Sequence, residues 1–165
     1  MEKFETSKSS GEHKQLASLV GKWTGITKVW FEPDVLADES PASGTISLIL
    51  DGRFVLHEYK GSMSGKALEG LAIFGYDLQN NKFQSAWIDS FHMGTGIMFS
   101  EGPHQEKSFA VTGSYGSREM SERWGWRTEI DLRSEDELYI TMFNISPSGE
   151  EAKATETVYK RILEA

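Results

Sequence analysis

The segment from Ser85 to Gly94 reads SAWIDSFHMG and carries the most chemically suggestive spacing in the chain: Asp89 follows Trp87 by two residues, and His92 follows Asp89 by three. A carboxylate beside an imidazole can fix the ring's tautomer and prepare it for proton transfer, provided the ring also reaches a substrate. Three residues along a regular strand point the two groups apart, so their convergence requires a turn. His57 and Glu58 form a second acid-base pair, adjacent in sequence and therefore on opposite strand faces. Neither spacing is a catalytic motif, so no residue is assigned a catalytic role and enzymatic activity stays open.

Metal chemistry finds less support. Beyond His13 the histidines are His57, His92 and His104, without a compact HExxH-like spacing, and the chain has no cysteine. No metal site is expected. The missing thiols also exclude disulfides and cysteine nucleophiles and fit a reducing, cytoplasmic setting.

Binding residues follow from strand phase. Phe83, Ser85, Trp87, Asp89 and Phe91 share one face, the better candidate for an interior, and an internal Asp89 would need a partner such as Arg53 or Arg127. In SERWGWRTEIDL, Trp124 and Trp126 oppose Arg127 and Glu129, which places the tryptophans inward unless a bulge at Gly125 reverses the phase. In RFVLHEYK, either Glu58 or the pair Arg53 and His57 faces inward, and alternation alone does not choose. Trp87, Asp89, Trp124, Trp126, Glu58 and Arg53 are the ligand-binding candidates.

The elements that must position these groups read as one all-β domain over 1–165. Sixteen glycines against four prolines, with 19 aromatic residues, suggest many turns and packed sheet surfaces. Residues 1–9 are polar and read as loose. Residues 10–20 read as a short helix, with Ser9 and Glu12 as a capping box and His13, Leu16, Leu19 and Val20 on one face. From Trp23 the period becomes two, and nine or ten strands fill 21–163. Residues 32–43 read as a loop, a solvated connection before a lid, and Glu101-Gly102-Pro103 as a turn. Successive hairpins expose two edges unless they close, so the expectation is a closed antiparallel up-and-down β-barrel with one short N-terminal helix, ahead of a two-sheet sandwich.

HKQLASLVGKW at 13–23, GRFVLHEYKG at 52–61, GLAIFGYD at 70–77, WID at 87–89 and ETVYKR at 156–161 together resemble a family known as domain of unknown function 1579. The resemblance implies a lipocalin-like, calycin-type barrel and no established substrate. It further implies that Trp23 of GKW closes one barrel end beneath a basic side chain of the last strand, Arg161 or else Lys160. Such a stack adds cation-π attraction of roughly 1 kcal/mol to apolar burial. His13 fits the same end in a structural role. Some barrels of this general shape hold haem through a histidine near the C-terminus; no histidine follows His104 here, which weighs against haem.

The formal charge of -8 disfavours nucleic acid and anionic membrane surfaces, and no apolar run is long enough for a membrane helix. The expected partner is a small apolar or amphipathic molecule bound noncovalently in the barrel. An enzyme using an Asp/His or Glu/His cluster and a filled barrel used for protein contacts, including a homodimer, are the alternatives.

Overall fold

The computed structural model describes residues 2–105 and 108–163. Two helices, α1 (Glu2–Ser10) and α2 (Glu12–Ala17), precede ten described strands: β1 (Gly21–Glu32), β2 (Val35–Ile49), β3 (Phe54–Met63), β4 (Lys66–Asp77), β5 (Lys82–Asp89), β6 (Met98–Pro103), β7 (Phe109–Tyr115), β8 (Trp124–Ser134), β9 (Glu137–Ile145) and β10 (Glu151–Arg161). Each pairs antiparallel with its sequence neighbours, and β1 also pairs with β10, so the sheet closes into an up-and-down barrel. Closure satisfies the backbone groups that an open sheet would leave on two edges.

Alternating strand direction gives the barrel two different ends. The turns at 50–53, 78–81 and 135–136 lie at one end, where α2 packs against β3 and β4. Leu16 and Leu19 join Trp23, Phe83 and Leu138 in the buried core of that closed end. The turns at 33–34, 64–65, 90–97, 116–123 and 146–150 surround the other end, the mouth.

Several boundaries differ from the sequence expectation. Where 1–9 reads as loose, Glu2–Ser10 is helical; Met1 lies outside the described residues. The second helix is shorter than 10–20, and Ser7, not Ser9, accepts the His13 N–H. The capping box therefore fails as a sequence signal, because Ser9 Oγ instead donates to the Thr6 carbonyl inside α1. No lid or loop covers 32–43: β1 and β2 continue to a tight turn at Pro33 and Asp34, the latter at φ 60°. Its proline and acidic residues are tolerated because one face of a barrel strand meets water, and β2 pairs with β3 only from Ser43 onward, leaving the side of Pro41 away from β1 without a ladder partner. Glu101, Gly102 and Pro103 belong to β6. Conversely, β6 begins at Met98 and β8 at Trp124, which leaves 90–97 and 116–123 as the long mouth loops.

Candidate functional site

The closed end is tied by Trp23 and Arg161. Trp23 is fully buried, its indole N–H donates to the Leu19 carbonyl at 3.0 Å, and the Arg161 guanidinium lies 4.2 Å above its ring. The same guanidinium donates to the carbonyls of Ser18, Val20 and Glu135, so it joins the end of α2 to the β8–β9 turn and to β10. His13 packs beside this end: it is buried, shares a 2.8 Å hydrogen bond with Ser7 Oγ, and meets Phe4 and Tyr76 edge-on.

Further along the lumen, side chains from β3, β5 and β10 form two polar pairs inside an apolar wall. Trp87 Nε1–H donates to Tyr59 Oη at 2.8 Å, and His57 Nε2 lies 3.1 Å from Tyr159 Oη. Glycines make the room. A methyl group on Gly70 would stand 2.3 Å from Tyr59 Oη, and one on Gly44 would stand 2.6 Å from Tyr159 Oη. Burial pushes His57 down to about 4, so the ring is neutral near pH 7, and it raises the tyrosine hydroxyls of Tyr59 and Tyr159 well above their ordinary range.

At the mouth, β5 ends on Asp89 and the chain folds over it. One carboxylate oxygen accepts the backbone N–H groups of Phe91 (3.3 Å), His92 (2.6 Å) and Met93 (2.9 Å), and the other lies 2.5 Å from His92 Nδ1. Burial works to raise the Asp89 carboxyl, but the His92 ring and the backbone donors outweigh it and hold the group below the usual carboxylate range. An ionised carboxylate only accepts, so Nδ1 carries a proton, and in the uncharged form of the ring Nε2 presents a lone pair. His92 is held among Phe91, Trp87 and Trp126, with ring centroids 4.8, 5.4 and 5.8 Å away. Trp126 stacks on Trp87 at 5.6 Å, and Phe91 reaches Phe31 of β1 at 6.4 Å, across the mouth from β5.

These rings divide the open space. An inner chamber of about 70 Å³ lies among Ala42, Tyr59, Ala72, Ile140, Met142 and Tyr159. A mouth chamber of about 200 Å³ lies among Trp30, Phe31, Met98, Tyr115, Trp126 and Asn144. Val29, Trp87 and His92 line both. Both chambers are predominantly apolar and lie on the mouth side of the lumen. A larger groove of about 930 Å³ runs outside the barrel, past Lys22, Glu58, Leu71, Ile88 and the loop residue Ile97.

Residues 8–161 match the family described as "Protein of unknown function (DUF1579)". The chain belongs to the DUF1579 family. No curated protein matches it. Among solved structures it is similar to the S-type phycobiliprotein lyase CPES from Guillardia theta, with a TM-score of 0.60 and 11% identity over 92% of this chain and 93% of that one. It is likewise similar to Rv2717c from M. tuberculosis, with a TM-score of 0.59 and 12% identity over 91% and 96% of the two chains. At these identities the likeness is one of fold.

Within this DUF1579 barrel, the mouth brings together Trp87, Asp89 and Trp126 of the sequence-predicted residues. Trp124 stands half-buried on the rim, in the phase of Trp126. Glu58 and Arg53 are corrections. Glu58 faces outward because Val55 and His57 take the inward phase of β3. Arg53 sits at the closed-end turn, 4.7 Å above Phe4 and 3.7 Å from Asp51, and therefore does not pair with Asp89. Arg127 also turns outward, to Glu129 and Glu151, and Gly125 causes no phase reversal. The partner of Asp89 is His92, which a turn after Asp89 makes possible. Tyr59, His57 and Tyr159 act as a set that alternation did not reveal; glycine inside the strands at 44 and 70 was the available signal of close approach.

Asp89→Ala is expected to lower stability by roughly 2 kcal/mol, since three backbone donors and one imidazole lose their acceptor. Amide hydrogen exchange at 91–93 should accelerate sharply, with Asp89→Asn, which keeps one acceptor oxygen, in between. Wild-type exchange rates in Asp89→Ala would contradict its role as organiser of the loop.

Among the described residues, no group of three or more histidine, aspartate or glutamate side chains is placed to hold a metal ion. No described helix is long and apolar enough to cross a membrane.

Proposed function

We propose that the protein binds a small, largely apolar molecule noncovalently in the mouth half of the barrel. The observation that carries this reading is the pair of adjoining apolar chambers that share Trp87 and His92, with glycines and alanines at the inward positions 44, 70, 42 and 72. Burial of apolar ligand surface there would supply affinity at roughly 25 cal/mol per Å², and the few polar groups would supply orientation. The fold shared with a phycobiliprotein lyase is consistent with a small-molecule role for the barrel, and the negative net charge favours a neutral ligand over an acidic one. The cysteine-free sequence fits a cytoplasmic setting.

Ala42→Leu tests the reading, because the added carbons enter the inner chamber. Fluorescence titration with the neutral dye N-phenyl-1-naphthylamine should show saturable binding to the wild type. Ala42→Leu should weaken it about tenfold, with a stability cost of about 1–3 kcal/mol from overpacking. Ile88→Ser, in the outer groove, should leave dye binding unchanged. The reverse pattern would move the site to the outer surface.

A second reading is favoured by the Asp89–His92 contact. A carboxylate-held imidazole on a residue that lines both chambers can serve as a general base. Asp89→Asn separates the two readings: the asparagine amide would donate to Nδ1 and push the ring proton to Nε2, which removes the base while leaving apolar binding in place.

A further inference from the structure

Two residues that line the mouth chamber, Trp126 and His92, each carry a side-chain nitrogen to which no described residue is hydrogen-bonded. Among the described residues, the Trp126 indole N–H is a buried side-chain group without any partner, although Trp126 as a whole is only 7% exposed. An unpaired buried donor of this kind is costly, and native proteins keep few of them. His92 Nε2 is its complement. Nδ1 is committed to Asp89, no described residue donates to Nε2, and the ring centroid lies 5.8 Å from that of Trp126. Both side chains line the mouth chamber.

One oxygen making two hydrogen bonds of about 2.9 Å joins nitrogens up to about 5.8 Å apart, and the two ring centroids are 5.8 Å apart. The oxygen must accept from Trp126 and, with the His92 ring uncharged, donate to Nε2. A hydroxyl does both. A carbonyl or ether can only accept, and a carboxylate would lie near the ionised Asp89 with no Lys or Arg among the described residues that line the chamber. We propose that the mouth chamber is a hydroxyl-recognition site, and that the ligand class is an apolar molecule bearing a neutral alcohol. The apolar portion occupies the inner chamber and the hydroxyl bridges Trp126 Nε1 and His92 Nε2. This rests on the barrel-binding reading and adds its polar specificity.

The test compares three probes of one carbon skeleton, 2-octanol, 2-octanone and n-octane, by tryptophan fluorescence titration of the whole protein and of Trp126→Phe. The wild type should prefer 2-octanol over n-octane, with 2-octanone between them. Trp126→Phe should shrink the alcohol-to-alkane preference by roughly three- to tenfold, the effect of one hydrogen bond. Because Trp126 also stacks on Trp87, a folding defect in the variant is bypassed by wild-type NMR. The Trp126 indole N–H resonance should move downfield with 2-octanol and stay in place with n-octane. Saturable binding of all three probes with equal affinity and an unmoved indole resonance overturns the hydroxyl site, with a water molecule serving the pair instead. Equal binding of ketone and alcohol removes the His92 arm and overturns the alcohol assignment. Binding of none of the three overturns the barrel-binding reading itself.

Discussion

Trp23→Ala is expected to cost about 3–5 kcal/mol of folding stability, the range for removing a large aromatic side chain from a packed interior. Three losses coincide at this position. The fully buried indole leaves a cavity between α2 and the first strand, the Leu19 carbonyl just past the helix loses its indole donor, and Arg161 loses the surface on which its guanidinium lies at 4.2 Å. Arg161 would retain its backbone carbonyl acceptors, so the loss is not total. Urea denaturation followed by circular dichroism should show a lower midpoint at an unchanged slope. The mouth chambers lie at the opposite end, so dye binding under folding conditions should survive. A cost below about 1 kcal/mol would contradict the closed-end latch as a main support of the barrel, given the range for such truncations.

Acid should remove a second large share of stability through His57. Its folded value near 4 lies below the ordinary 6.5, so the unfolded chain takes up a proton between those values while the native protein does not. The sign follows: the contribution of the neutral ring is fully present above pH 6.5 and is lost progressively as pH falls to about 4. At 1.36 kcal/mol for each pH unit of difference, the loss is roughly 3 kcal/mol. His57→Gln should be less stable near neutrality, because the Tyr159 contact is altered, but its stability should fall less between pH 6.5 and 4. Buried His13, whose pKa burial also lowers, keeps a remaining slope in the variant. The depressed Asp89 carboxyl titrates below the ordinary 3.8 and acts only in stronger acid. A wild-type stability that stays flat from pH 7 to 4, with both histidines in place, would contradict a neutral buried His57.

The fold was legible because its signals are repeated and local. Period-two patterning, turn residues and the lack of a covered edge all point to closure. The family resemblance implied a basic side chain of the last strand over Trp23, Arg161 or else Lys160, of which the structure places Arg161 there. The face assignments were legible where one phase held clearly larger apolar groups, as in Phe83, Trp87 and Trp126. They failed where both phases were mixed. In β3 the inward choice of His57 over Glu58 depends on Gly44 and Tyr159, which come from other strands, so no local pattern contains it. The reading of 32–43 failed for a different reason. Polar residues and proline on a barrel's wet face have the same composition as a loop, and only pairing with β1 distinguishes them. The Asp89–His92 pair was visible as a spacing, but its convergence required the chain to leave the strand at Asp89.

The occupancy of the inner chamber is the most direct test of a binding barrel. Xenon enters dry apolar cavities without requiring hydrogen bonds, so crystals pressurised with xenon report whether the space beside Ala42, Ile140 and Met142 accepts an apolar guest. The account predicts a xenon site there, with a second in the mouth chamber beside Trp126, and loss of the first in Ala42→Leu. Xenon confined to the outer groove, with both chambers empty under the same pressure, would contradict it and leave a filled barrel whose function lies on its surface.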